Sequence, residues 1–169
     1  MGASGWHYFT PYQEDVGQAL EKLRTRVFAS GDYYAAWRDG AEITDEELAG
    51  RPPGLRDALA QLRDEVRERN AGVPEPTTIL EALERAAEDG THSILDICGL
   101  SDGAGFATAF PMPEAVTVDR FGAARPTREQ IEADKRRRTE GLGRWQCWYA
   151  VVYKDGRPDE IYFEGCSGD

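Results

Sequence analysis

The chain has 169 residues, and its hydrophobic and charged fractions, 40% and 30%, are those of a globular protein that can bury one core. Its formal net charge of -11 disfavours nucleic acid as a ligand, because binding to phosphates depends on lysine and arginine. No apolar run approaches the roughly 20 residues that cross a bilayer, and the first residues form no secretion signal. We therefore expect a cytoplasmic single domain over residues 1–169, without membrane contact and with a loosely structured tract near residues 30–54.

The cysteines argue against a disulfide framework and against a metal centre. Cys98, Cys147 and Cys166 are an odd number, lie far apart and form no CxxC pair. This usage is typical of reduced thiols. Because the chain has only two histidines, the sequence indicates neither a metal site nor a cofactor.

The N-terminal residues predict a strand followed by a helix. Residues 6–9 are aromatic and extended in pattern. Thr10, Pro11 and Gln13 then form the pattern of a capping box with proline at the first helical position. An apolar stripe continues to Val27, so we expect a helix over residues 11–29 that ends at Gly31.

Capping patterns and apolar periodicity predict further helices along the chain. Those in the middle carry charged residues on the face opposite the apolar stripe, which is typical of a solvated helix. In chain order, the predicted starts lie at Thr44 for a single turn, near Leu55, at Thr78, near Glu114 and at Thr127.

From residue 93 onward the apolar pattern becomes that of strands. The sequence "SILDIC" at residues 93–98 predicts a buried strand, and residues 106–110 predict a second one after a glycine-rich loop. Residues 145–153 and 159–164 flank Asp155-Gly156, a strong hairpin signal. We therefore predict an α+β fold with a small, mainly antiparallel sheet, packed with three to five helices.

A two-residue loop at Asp155-Gly156 also predicts the register of the hairpin. It pairs Tyr153 with Pro158 and Ala150 with Ile161. The predicted core face then carries Trp148, Ala150, Val152, Ile161 and Phe163, and the half-covered face carries Cys147, Tyr149, Val151, Tyr153, Glu160, Tyr162 and Glu164.

Three stretches of the sequence together carry a resemblance. They are the opening "GWHYFTPY", the middle "GTHSILDI" and the closing "YAVVYKDGRPDEIYFEG". With a pattern of the type G-W-x-Y-F-x-P-Y and a C-terminal aromatic hairpin, the chain is similar to a group of small uncharacterised bacterial proteins. The resemblance implies a single domain and carries over no activity and no site residue.

Four residues are candidates for catalysis. His7 and His92 are the side chains whose ordinary pKa lies near neutrality. Asp96 lies within an apolar segment and needs partners if it is buried, and Cys98 would share its face of a strand. A nucleophile arrangement would combine Cys98, either His7 or His92, and either Asp96 or Asp102. The alternative for each is structural, namely a packed histidine, a hydrogen-bonded aspartate and a thiol in the core.

The aromatic residues, 10% of the chain, point to a binding surface instead. Tyrosine and tryptophan are frequent at interaction surfaces as well as in cores. We therefore expect Trp6, Tyr149, Tyr153 and Tyr162 to contribute to binding.

Two functional hypotheses follow, and the sequence leaves enzymatic activity open. The first is a non-catalytic protein-binding domain, for example an inhibitor or immunity-type partner of a basic protein, since acidic charge speeds encounter with a basic surface. Self-association into a homo-oligomer is a further expectation. The second is a small hydrolase- or transferase-like enzyme with a pocket around Asp96, Cys98 and a histidine.

Overall fold

The computed structural model of the protein describes residues 4–35, 43–136 and 140–168. Contacts divide the chain into two compact units, one formed by Met1–Tyr34 with Ala87–Asp169 and the other by Ala35–Ala86. The single domain expected over residues 1–169 stays a prediction. Among the described residues, no helix combines the length and the apolar character that a membrane crossing requires.

A five-stranded sheet organises the first unit. The strands are β1 (Gly5–Pro11), β2 (Gly99–Leu100), β3 (Thr108–Pro111), β4 (Gln146–Lys154) and β5 (Arg157–Cys166), in the spatial order β1-β5-β4-β3-β2. β5 pairs antiparallel with β1 and with β4, whereas β3 pairs parallel with β2 and with β4. The predicted α+β class is confirmed, and most of the paired residues in the sheet are antiparallel as expected, although the pairs that β3 forms make the sheet mixed.

Six α-helices lie within the described residues. They are α1 (Val16–Ser30), α2 (Asp45–Ala49), α3 (Pro53–Asn70), α4 (Ile79–Ala86), α5 (Glu114–Phe121) and α6 (Arg128–Glu132), with short 3₁₀ turns at Ala87–Asp89 and Ile94–Asp96. The predicted starts at Thr44 and Thr127 are confirmed as complete capping boxes. α6 ends at Glu132, before the basic residues Lys135 and Arg136, and the basic residues at positions 137 and 138 lie outside the described residues.

The start predicted for the first helix is wrong. The chain stays extended through Pro11, because Thr10 pairs with Ile161 and the Tyr12 N–H donates to the Asp159 carbonyl at 2.9 Å. α1 begins only at Val16, where the Asp15 carboxylate caps it by accepting the Gln18 N–H. The strand predicted over residues 6–9 is therefore longer than expected.

The strand predicted at residues 93–98 is also wrong. The Ser93 hydroxyl accepts the Leu95 N–H at 3.2 Å and caps a 3₁₀ turn, so the strand β2 starts later, at Gly99. The segment looked like a buried strand because its apolar residues are buried on all sides. As a result, Asp96 and Cys98 share no strand face: Asp96 is buried and Cys98 is exposed.

The hairpin forms as predicted, but its register changes inside the strands. Tyr153 pairs with Pro158, and Val152 pairs with Glu160, so that Asp159 is the extra residue of a β-bulge. A shift of one residue moves every following side chain to the other face. Beyond the bulge, Tyr162 and Glu164 share a face with Trp148 and Ala150, whereas Ile161 and Phe163 share the opposite face with Tyr149 and Val151.

Helical segments cover both faces of this sheet. The face that carries Trp148 and Tyr162, here called the Trp148 face, packs against Phe121 of α5 and Ile131 of α6. The face that carries Trp6 and Phe163, the Trp6 face, is covered by α1 and the turn Ile94–Asp96. The buried apolar residues of these covering segments, together with the residue that follows the turn, are Ala19, Leu20, Leu23, Val27, Ile94, Leu95 and Ile97.

The second unit contains α2, α3 and α4. Its buried apolar residues include Leu48, Val66 and Ala82. α2 and the start of α3 lie in the tract near residues 30–54, of which residues 36–42 lie outside the described residues. The loose structure expected for this tract stays a prediction.

Candidate functional site

Three backbone hydrogen bonds join distant segments at the end of the sheet where β4 begins. The Cys98 N–H donates to the Ala107 carbonyl at 2.7 Å, the Ala107 N–H to the Trp145 carbonyl at 2.8 Å, and the Trp145 N–H to the Cys166 carbonyl at 2.8 Å. This chain of bonds fixes the loop between β2 and β3 against the start of β4. We call this region the sheet end.

The backbone of the sheet end is conformationally strained. Ala107 and Trp145 have φ angles of 54° and 61°, and His92 in the neighbouring turn has 48°. A left-handed conformation costs a residue other than glycine roughly 1–2 kcal/mol. Residues held in this way concentrate at functional sites, where the surrounding structure imposes them. The strain therefore marks the sheet end as the candidate site.

The strained backbone presents an aromatic ring to solvent. Phe106, directly before Ala107, is 76% exposed, and its ring centroid lies 5.7 Å from that of Trp145. The Trp145 indole fits closely against two glycines, since a Cβ built on Gly168 would lie 2.1 Å from it and one on Gly90 2.9 Å. The Phe106 ring therefore lies beside a Trp145 ring that is closely packed on its other sides. We call these two residues the Phe106–Trp145 pair.

Charged and apolar groups lie near this pair along the chain. The loop that ends in Phe106 begins beside Leu100, which is partly exposed, and includes the exposed Asp102. Burial and the Asp102 carboxylate together raise the pKa of Tyr149 above its ordinary value. Arg144 donates to the Gly168 carbonyl at 3.1 Å. The sheet end thus combines exposed apolar surface with charged groups, as protein-binding surfaces do.

Asp96 lies beneath the sheet end and is fully engaged by groups of its own chain. It is 1% exposed. One carboxylate oxygen accepts the N–H and the hydroxyl of Thr91, both at 2.7 Å, and the other accepts the Ser167 hydroxyl at 2.8 Å. The Ser167 hydroxyl in turn accepts the Trp6 Nε1–H at 3.0 Å. The arrangement has the geometry of the structural alternative, a hydrogen-bonded aspartate that fixes a turn.

Two of the other catalytic candidates also belong to this region: Cys98, which is exposed, contributes its backbone N–H to the sheet end, and His92 directly follows Thr91, the residue that donates to Asp96. The His92 ring stacks on Tyr34 with 4.4 Å between centroids. His7 is exposed on the Trp148 face, with its ring beside those of Phe9 and Tyr162. Because Asp96 is bonded through Ser167 to the opposite face, the sheet separates it from His7.

Two of the four predicted binding residues lie in the core. Trp6 is 6% exposed, and its ring lies so close to Gly165 that a Cβ there would be 2.1 Å away. Tyr162 is completely buried. Tyr149 and Tyr153 are half-buried, so these two retain surface that a ligand can contact.

A buried ionic cluster on the Trp148 face was not predicted. Glu164 is fully buried and accepts two hydrogen bonds from the Arg120 guanidinium, at 2.7 and 3.0 Å, and one from the Tyr162 hydroxyl at 2.5 Å. Arg120 also donates to Asp134 at 2.9 Å. Burial alone would lower the pKa of Arg120, but the two carboxylates outweigh it and raise that pKa. The cluster ties α5 and the residues after α6 to β5.

The described residues offer no metal centre, since no three histidine, cysteine or acidic side chains among them are grouped to hold an ion. The three cysteines are free thiols. Burial raises the pKa of the Cys147 thiol well above its ordinary value, which keeps that thiol protonated and unreactive.

Comparison with protein-family models, with curated proteins and with solved structures finds no match to this chain. The resemblance to small bacterial proteins stays a prediction. The geometry of the site is therefore the basis for inferring a function.

Proposed function

We propose that the protein is a non-catalytic protein-binding domain that engages a basic partner through the Phe106–Trp145 pair. The observation that carries this proposal is the 76% exposure of Phe106 on a backbone that is strained at the next residue. A phenylalanine in water contributes little burial to the stability of the fold. Aromatic side chains, phenylalanine included, are enriched at protein–protein interfaces relative to the rest of the protein surface.

The charge of the chain supports a basic partner. A net charge of -11 accelerates association with a positively charged surface, and it disfavours acidic partners by like-charge repulsion. Inhibitor or immunity-type binding requires a rigid surface of this composition and no reaction at it.

The enzyme hypothesis receives less support from the same region. An acid that acts on a substrate has to reach it. Both Asp96 oxygens instead accept hydrogen bonds from Thr91 and Ser167. The contacts of Asp96 thus favour the binding proposal.

A comparison of two matched variants tests the proposal. Phe106→Ser removes the exposed ring, and Leu80→Ser is the control, because Leu80 is 64% exposed but belongs to the second unit. Each protein is immobilised and exposed to a lysate of the source organism at low and at physiological salt, and the retained proteins are quantified by mass spectrometry. We expect basic proteins on the wild type and on Leu80→Ser, and at least about tenfold less of them on Phe106→Ser.

The salt series adds a second criterion, namely how the amount of retained protein changes with salt. Because salt screens the charges that promote association with a basic partner, we expect less retained protein at physiological than at low salt. Circular dichroism checks that both variants are folded. The proposal is wrong if Phe106→Ser retains the same proteins as the wild type, or if no protein is retained above the level of empty beads.

A further inference from the structure

A groove of about 250 Å³ opens beside β4, and Phe106 and Trp145 are not among the residues that line it. It lies where β3 has ended and before the chain returns at Pro126 to the same strand. The residues that the argument uses are Pro111, Met112, Glu114, Tyr149, Val151 and Tyr153, all of which line it.

The edge of β4 is open inside this groove. The Met112 N–H donates to the Tyr149 carbonyl at 2.8 Å, and the Tyr153 N–H donates to the Pro126 carbonyl at 2.9 Å. Backbone direction alternates along a strand, so the N–H and C=O of Val151 point to the same edge as those of Tyr149 and Tyr153. The backbone of Val151 therefore faces the gap between Met112 and Pro126.

The side chains around this gap form an apolar lining. Tyr149, Val151 and Tyr153 alternate with buried residues along β4 and are themselves half-buried. Pro111 at the end of β3 is exposed. Tyrosine rings give large contact area at a low cost in conformational entropy, which suits them to binding a chain segment.

The charges at the groove favour a cationic ligand. Glu114 lines it and is exposed, and the Asp102 carboxylate is close enough to Tyr149 to influence its ionisation. The Arg125 guanidinium, which lies 5.5 Å from the Tyr153 ring centroid, opposes them. The charged residue among those that line the groove is Glu114, and its sign agrees with the net charge of the whole chain.

We propose that this groove binds an extended segment of a partner protein that carries an arginine or a lysine. The segment pairs its backbone with Val151, packs apolar side chains on Tyr149 and Tyr153, and places its cation beside Glu114. Strand addition of this type obtains affinity from main-chain hydrogen bonds and specificity from side-chain pockets. The inference goes beyond the binding surface at Phe106, because it assigns a second surface with its own ligand chemistry.

Two capped pentapeptides test the proposal by NMR on the isotopically labelled protein. One has the sequence Ala-Leu-Arg-Leu-Ala and the other has glutamate in place of arginine. We expect the arginine peptide to shift the amide signals of Val151, Tyr149 and Tyr153 with a dissociation constant near about 1 mM or below. The glutamate peptide should bind at least about fivefold more weakly, and Glu114→Gln should reduce that difference.

A pair of tryptophan variants locates the binding. Ala124 is exposed and lines the groove, so Ala124→Trp should fill it and abolish the shifts. Ala58→Trp, at an exposed position of α3, is the matched control and should bind as the wild type does. Phe106→Ser should retain full peptide binding, which separates this proposal from the one above.

Three results would overturn the groove proposal. They are no shift of the Val151 amide signal at arginine-peptide concentrations several times the expected dissociation constant, equal affinity for the two peptides, or unchanged peptide binding in Ala124→Trp. Circular dichroism and the dispersion of the NMR spectrum show that each variant is folded, so a loss of shifts reports on binding.

Discussion

Two buried carboxylates on opposite faces of one sheet are accommodated by different means. Asp96, on the Trp6 face, accepts hydrogen bonds from a backbone N–H and from hydroxyl groups, all of them neutral donors. Glu164, on the Trp148 face, faces the guanidinium of Arg120. Both solutions satisfy a group that would otherwise be very costly to bury. They differ in whether the charge of the carboxylate is satisfied by several donors or by a single cation.

That difference determines how strongly the removal of a single residue destabilises each cluster. Around Asp96 the hydrogen bonds come from several donors, so removing one leaves the others. Around Glu164 a single cation serves two carboxylates, because Arg120 also pairs with Asp134 at 2.8 Å. Removing one member of a buried ion pair leaves an uncompensated charge, which is more destabilising than the pair itself is stabilising.

The largest expected effect is therefore that of Arg120→Met. It leaves Glu164 and Asp134 buried without a counter-ion, and we expect a loss of about 3–5 kcal/mol in the free energy of unfolding, measured by urea denaturation. Arg136→Met is the control, since Arg136 forms an exposed pair with Asp119, and it should leave the free energy of unfolding nearly unchanged. Similar stabilities for the two variants would show that Glu164 and Asp134 do not depend on Arg120 as their counter-ion.

A smaller effect is expected from Asp96→Asn. The amide keeps the shape of the side chain, but its NH₂ group cannot accept from Thr91 or Ser167, so we expect a loss of about 1–3 kcal/mol in the same urea experiment. Asp102→Asn, at an exposed position, provides the matched control and should leave stability nearly unchanged. If Asp96→Asn and Arg120→Met lose the same free energy of unfolding, a carboxylate held by several neutral donors is as sensitive to substitution as one held by a single cation.

The smallest effect is confined to alkaline pH and concerns Tyr8, which lies beside the Asp96 cluster. Burial, followed by the charge of Asp32, raises the pKa of Tyr8 to about 12. An unfolded tyrosine ionises near about 10, so the stability that Tyr8 contributes is complete below that pH and is lost as the pH rises toward 12. After allowance for solvent screening we expect a loss of about 1 kcal/mol.

Urea denaturation below and above pH 10 measures this decline, and Tyr8→Phe should make it shallower because that variant has no phenol to ionise at position 8. An equal decline in the wild type and in Tyr8→Phe would show that the Tyr8 phenol ionises alike in the folded and unfolded states.

Features governed by neighbouring residues were predictable from the sequence. The caps at Thr44 and Thr127, the helix end at Gly31 and the turn at Asp155-Gly156 all depend on hydrogen bonds or backbone angles within a few positions. In each of them, the residue type that the geometry requires is visible in a window of four or five residues.

Features governed by distant partners were not predictable in the same way. The bulge at Asp159 and the late start of α1 both involve the hydrogen bond from Tyr12 to the Asp159 carbonyl, which joins the two ends of the chain. Residues 93–98 were misjudged because complete burial gives a turn and a strand the same apolar pattern. Local sequence does not contain that information.

The candidate site was only partly visible in the sequence for the same reason. Asp96 was correctly singled out as a carboxylate that needs partners, but one of them is Ser167, 71 residues later. Glu164 carried an equal signal, a charge within an apolar strand, yet the register error assigned it to the half-covered face. Phe106 gave no signal, since its exposure depends on how β3 joins β4.

The position of β5 between β1 and β4 has a consequence for the order of folding during synthesis. Gly5 pairs with Cys166, so β1 leaves the ribosome long before its partner β5 does and has to wait until β5 emerges. Residues 35–86 form their contacts within a short stretch and can fold while translation continues. The sheet forms late, and its strands pair across long stretches of sequence, which makes its folding slow. Until then β1 exposes Trp6 and Tyr8, residues that the finished protein covers.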